Sequence, residues 1–94
     1  MTTKEQLCED LKNILRAYGY TGSDVDNLTP DSTNNLTCLQ IDDIDRMCML
    51  YDLNKKYNKA LTDEDVFGLE TGLSNAEFNQ FLIELCEIIN NNLR

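Results

Sequence analysis

The chain has no histidine and no tryptophan, and only one of its 94 residues is proline. Without histidine, the commonest general base and the commonest nitrogen ligand for a metal are both missing. No glycine-rich phosphate loop and no thiol beside a base compensates, so nothing assembles into a nucleophile with its activating partner. The expectation is a protein that is not an enzyme.

Positive charge is also scarce. Eight Lys and Arg face seventeen Asp and Glu, for a net charge of -9. A surface of that sign repels phosphate backbones, which disfavours nucleic acid and favours a protein partner. No stretch approaches the ~20 continuous apolar residues of a membrane span. The start, Met1-Thr2-Thr3-Lys4-Glu5-Gln6, has no basic segment leading into an apolar one, so no signal peptide is expected and the chain is placed in the cytoplasm. Ninety-four residues suffice for one small core, giving a single domain over 1–94 that is expected to be a monomer.

Cys8, Cys38, Cys48 and Cys86 lie 30, 10 and 38 residues apart, which fits neither a metal knuckle nor a CxxC redox pair. They read as reduced thiols behaving as small hydrophobes. No metal site follows from them. An EF-hand over Asp52–Asp63 also fails, because Lys56 and Tyr57 stand at its fifth and sixth positions and its twelfth lacks the bidentate glutamate.

What the chain does have is helical periodicity, and no segment alternates with the period of a strand. Leu7, Leu11, Ile14, Leu15 and Tyr18 form one stripe, entered through a capping box of Thr3 with Gln6 and closed by Gly19. A long connection follows to Ile41, with Val25, Leu28, Leu36, Leu39 and Ile41 pinning it across the core. Thr62-Asp63-Glu64-Asp65 starts a short helix that Gly68 and Gly72 break. Ser74 and Glu77 box the start of a last helix whose stripe is Phe78, Phe81, Leu82, Leu85, Ile88, Ile89 and Leu93. Phe81 is taken as the centre of that stripe, with an expected cost of about 3 to 5 kcal/mol for Phe81→Ala.

The central segment, Asp42 to Tyr57, carries two apolar stripes. Ile44, Met47 and Tyr51 make one, and Leu50, Leu53 and Tyr57 make the other. A helix lying on one side of a small bundle needs a single stripe. Either the second is exposed to a partner, or the helix is buried on two sides. Charge is balanced here, with four acids and four bases from Asp42 to Lys59, while the flanking parts are acidic.

The order of long helix, long loop, central helix, short helix and long helix is similar to the layout of acyl carrier proteins. The run Leu39-Gln40-Ile41-Asp42-Asp43-Ile44-Asp45-Arg46-Met47-Cys48-Met49-Leu50-Tyr51-Asp52-Leu53 resembles the carrier motif L-G-x-D-S-L-D-x-V-E-L-V-M-x-L. The resemblance implies an all-α, four-helix bundle of acyl-carrier-protein type, three helices long and one short, with a long loop after the first. It also implies service to fatty-acid, lipid or polyketide metabolism. In the family the serine of D-S-L carries 4'-phosphopantetheine. Asp43 stands at that position, and a carboxylate cannot supply the hydroxyl nucleophile, so no cofactor is expected on the chain as written. The alternative is a genuine carrier whose serine was exchanged for Asp43, or one modified at Ser32, which also follows an aspartate.

Partners are expected at the second long helix, through Asp42, Ile44, Arg46, Met47, Tyr51 and Lys55. Cys48, Asn54, Lys55 and Lys56 stand at several of the places where the family typically presents acids. Asp42, Asp43 and Asp45 have a purely structural reading as well, since carboxylates at a helix start accept free backbone N–H groups and sit well in the helix dipole.

Overall fold

The structure, a computed structural model, describes residues 2–30, 41–62, 65 and 75–91, the side chains of 24 and 75–78 excepted. All regular structure among the described residues is helical: α1 over Lys4–Ala17, a single turn α2 over Ser23–Asp26, α3 over Asp43–Tyr57 and α4 over Asn75–Asn90. The all-α expectation holds. The short helix expected from Thr62 lies largely outside the described residues, as do the cap Ser74 and the apolar residues Leu36, Leu39 and Leu93. Among the described residues there, the Asp65 carboxylate accepts from the Thr62 N–H at 2.8 Å and the Asp65 N–H donates to the Thr62 carbonyl at 3.0 Å.

Local signals set the bounds of α1. Thr3 caps it by accepting from the Gln6 N–H at 3.1 Å. At the far end Gly19 has φ +94°, with Gly19 N–H donating to the Arg16 carbonyl and Tyr20 N–H to the Leu15 carbonyl. That pair of bonds is a Schellman motif, whose left-handed residue favours glycine. Leu7, Leu11 and Leu15 are fully buried beneath it, and Ile14 and Tyr18 pack at the edge.

α1 touches each of the other three helices. α2 and the turn after it rest on it through Val25 and Leu28, both buried, and through two cations of α1. The Lys12 ammonium donates to the Asp26 carbonyl at 3.1 Å, at the end of α2, and Arg16 pairs with the Asp26 carboxylate at 3.0 Å. α4 contributes Leu82, Leu85, Cys86 and Ile89 to the common core, with Phe81 and Ile88 packed at its margin. The stripe on this helix is thus centred one residue beyond Phe81. Phe81 is half-buried and Leu82 is fully enclosed, which moves the centre of the core to Leu82 and Leu85.

Two asparagines hold chain ends and connections in place. The Asn90 amide makes a two-way pair with the backbone of Thr2, at 2.9 and 2.8 Å. The Asn54 amide does the same with Leu61, at 2.7 and 3.2 Å. Asn58, left-handed at φ 54°, closes α3, as a residue tolerant of that conformation should. No helix among the described residues is long and apolar enough to cross a membrane.

Candidate functional site

α3 begins as a capped helix. Asp42 is extended and its carboxylate accepts from the Asp45 N–H at 2.8 Å, while its carbonyl accepts from the Arg46 N–H at 2.9 Å. Asp43 is the first helical residue and is exposed. Two acids in the first turn and Lys55 and Lys56 in the last both complement the helix dipole.

The two stripes of α3 face opposite ways. Met49 and Leu53 are fully buried, with Leu50 and Tyr57 packed against the core beside them. Ile44, Met47 and Tyr51 are 74%, 59% and 67% exposed. At about 100° per residue, Met47, Tyr51 and Lys55 fall within about 60° of Ile44, whereas Leu53 lies about 180° away. The helix is buried on one side only. Its outer face is a line of three large apolar side chains that ends at the exposed Lys55, while the exposed Asp43 lies about 100° around from Ile44, on the Met47 flank.

Of the residues expected at a partner site, Ile44, Met47, Tyr51 and Lys55 come together on this face, and Asp42 is the cap that precedes the helix; Asp43, the family's attachment position, flanks the face. Arg46 does not join them. It is half-buried and lies about 160° around the helix from Ile44. Ser32 lies outside the described residues.

What holds α3 in this orientation is a set of three tyrosine–carboxylate bonds to α1 and its C-terminal turn. Tyr18 donates to Asp52 at 2.6 Å, Tyr20 donates to Asp45 at 2.6 Å, and Tyr57 donates to Asp10. Asp10 is buried and also accepts from the Gln6 amide at 3.0 Å, with the Lys56 ammonium 3.6 Å away. Each phenol is held protonated above its ordinary range. The Asp52 bond raises Tyr18 to about 12, and burial followed by the Asp45 bond raises Tyr20. Burial and the Asp10 bond raise Tyr57 further still.

Sequence reasoning missed these bonds, since the partners stand 34, 25 and 47 residues apart. One signal was available. An apolar or aromatic residue just after a C-terminal glycine usually folds back onto the helix, which is where Tyr20 sits relative to Gly19 and Leu15.

The arrangement leaves little room for metal chemistry on α3. The helix runs through the first half of the segment considered for a calcium loop, from Asp52 to Tyr57, with Asp52 engaged by Tyr18 and Asn54 by Leu61, while Asp63 lies outside the described residues. Cys8 and Cys86 are buried free thiols, and Cys8, raised to about 11 by burial, is held as a neutral hydrophobe against the Leu28 carbonyl. Both pack as small hydrophobes in the core.

Compared with known proteins, the chain matches no family model, no curated sequence and no solved structure.

Proposed function

We propose that this chain is a carrier-like protein-interaction module that engages a protein partner through the outer face of α3 and bears no phosphopantetheine arm. The observation that carries this reading is the exposed line Ile44, Met47 and Tyr51 on a helix whose opposite face already fills the core. A small domain rarely leaves three large apolar side chains in one row without using them.

The motif resemblance supports the same surface, because Asp43, which flanks the line, stands where the family carries its arm. Service to a fatty-acid, lipid or polyketide pathway belongs to this proposal, as does cytoplasmic location. Contact is driven by apolar burial more than by charge, since Asp42 to Lys59 is locally neutral. Modest dependence on salt follows.

The test has two arms. Incubation with coenzyme A and a broad-specificity phosphopantetheinyl transferase, read by intact mass, leaves the chain unmodified, while the Asp43→Ser chain gains one arm. An arm on Ser32 of the unaltered chain overturns the reading in favour of a genuine carrier. In the second arm, Met47→Glu keeps the helical signal and melting temperature of the parent, because a surface change costs no more than about 0.5 kcal/mol, yet loses capture of the native partner. Unfolding of that variant would make Met47 a core residue and remove the site.

A further inference from the structure

The charges of α3 are not all alike in what they do. Among the acids from Asp42 to Lys59, Asp42 caps the helix, Asp45 accepts from Tyr20 and Asp52 accepts from Tyr18. Among the bases, Lys56 faces Asp10, Lys59 donates to the Asn91 carbonyl and Arg46 is turned toward the half-buried side. Asp43 and Lys55 remain exposed and make no hydrogen bond or ion pair with the described residues. One is an acid in the first turn, flanking the apolar line on the Met47 side, and the other a base at its foot.

Their positions are symmetric. Each lies six residues from Met49, and Met47 and Tyr51 each lie two residues from it. A two-fold axis passing α3 at the height of Met49 therefore brings Asp43 of one copy level with Lys55 of the other, and Met47 level with Tyr51. Two copies of the helix laid antiparallel about that axis would place Met47 of one against Tyr51 of the other, twice. They would also place Asp43 of each at the height of Lys55 of its mate, twice. At an interaxial distance of about 8 to 10 Å a lysine side chain spans the gap to the opposing carboxylate. The methionine sulfur meets an aromatic ring, the lysine stem covers Ile44, and the two helix dipoles oppose each other favourably.

We infer that the outer face of α3 pairs with the same face of a second copy of this chain, antiparallel, in a two-fold dimer registered by Asp43 and Lys55. This deepens the proposed partner site by naming its occupant, rests on that reading of the face, and departs from the monomer expected from sequence. Closed two-fold pairing is the commonest homo-oligomeric arrangement and requires such self-complementarity. One helix of about 22 Å offers less than the ~1,200 Å² of total contact that a standard stable interface buries. The dimer is accordingly reversible. Repulsion between two chains of net charge -9 acts in the same direction, and the local balance of α3 keeps it out of the contact itself.

Sedimentation equilibrium across micromolar to millimolar protein tests this. The parent is expected to associate reversibly to a dimer, and Met47→Glu to stay monomeric with unchanged melting. Asp43→Lys and Lys55→Glu should each weaken self-association by at least about tenfold, because each turns both ion pairs into like-charge contacts. Mixing the two variants should restore association, since the mixed dimer regains two opposite-charge pairs. A parent that remains monomeric at millimolar concentration overturns the inference, as does a mixture no tighter than either variant alone. If the chain is monomeric but Met47 is still needed to capture a different protein, the dimer falls and the proposed partner surface stands. If Met47→Glu changes neither, both fall.

Discussion

The phenol of Tyr20 donates to the Asp45 carboxylate at 2.6 Å and accepts from the Asp42 N–H at 3.3 Å. One side chain, three residues past the end of α1, thereby binds both the cap and the first turn of α3. Asp43 is framed between those two contacts, and the direction of the apolar line that follows depends on them. Tyr20→Phe is expected to cost about 1 to 2 kcal/mol, the worth of a hydrogen bond to a charged acceptor that is partly wet. Amide hydrogen exchange should accelerate in the first turn of α3 and stay unchanged in the middle of α1. Equal acceleration in both would mean that the phenol supports the whole bundle and not this helix start.

The core of α4 centres on Leu82 and Leu85, which are 0% and 1% exposed. Leu82→Ala should cost about 2 to 5 kcal/mol, through lost transfer energy and the cavity left behind. Phe81→Ala, at the margin, should cost clearly less, about 1 to 2 kcal/mol on half-burial of its ring. Urea midpoints for the two variants rank them. A larger loss for Phe81→Ala would return the core face to the position expected from periodicity.

Alkaline pH should unfold the protein before its helices are intrinsically unstable. Tyr18, Tyr20 and Tyr57 all hold their protons in the folded chain beyond the ordinary phenol value of 10.0. The unfolded chain thus releases protons first, so their contribution is intact below pH about 10 and is lost as pH rises through about 12 for Tyr18. Cys8, raised from 9.0 to about 11, adds a loss that begins about one unit earlier. Stability measured by urea at a series of pH values should be level up to about 9 and fall steadily above it. Tyr57→Phe should make that fall shallower, and an unchanged slope would show that Tyr57 keeps no excess proton in the native state.

Much of this protein can be read without a structure, and the legible parts share one property. Thr3 capping the Gln6 N–H, Gly19 closing α1, and the spacing of Leu7, Leu11 and Leu15 all depend on steps of no more than five positions. Helix formation is decided over that range, so local sequence determines it. The Asp42 cap of α3 is of the same kind. It explains why an aspartate-rich start is a stable one, whatever Asp43 does besides.

Tertiary structure decided the rest. Periodicity gives the angle between the two stripes of α3, and it is silent on which of them meets the core. Ile44, Met47 and Tyr51 are as hydrophobic and as well spaced as Leu50, Leu53 and Tyr57, yet the first set is exposed and the second packs inward. Met49, which belongs to neither stripe, is fully buried because it shares the side turned toward α1. That turn is set by Tyr18, Tyr20 and Tyr57 reaching carboxylates 25 to 47 residues away. A bond of that length in sequence exists only once two helices are already side by side, and no local pattern encodes it. Asp43 and Lys55 likewise stand out as the uncommitted charges of α3 only after the fold has engaged their neighbours.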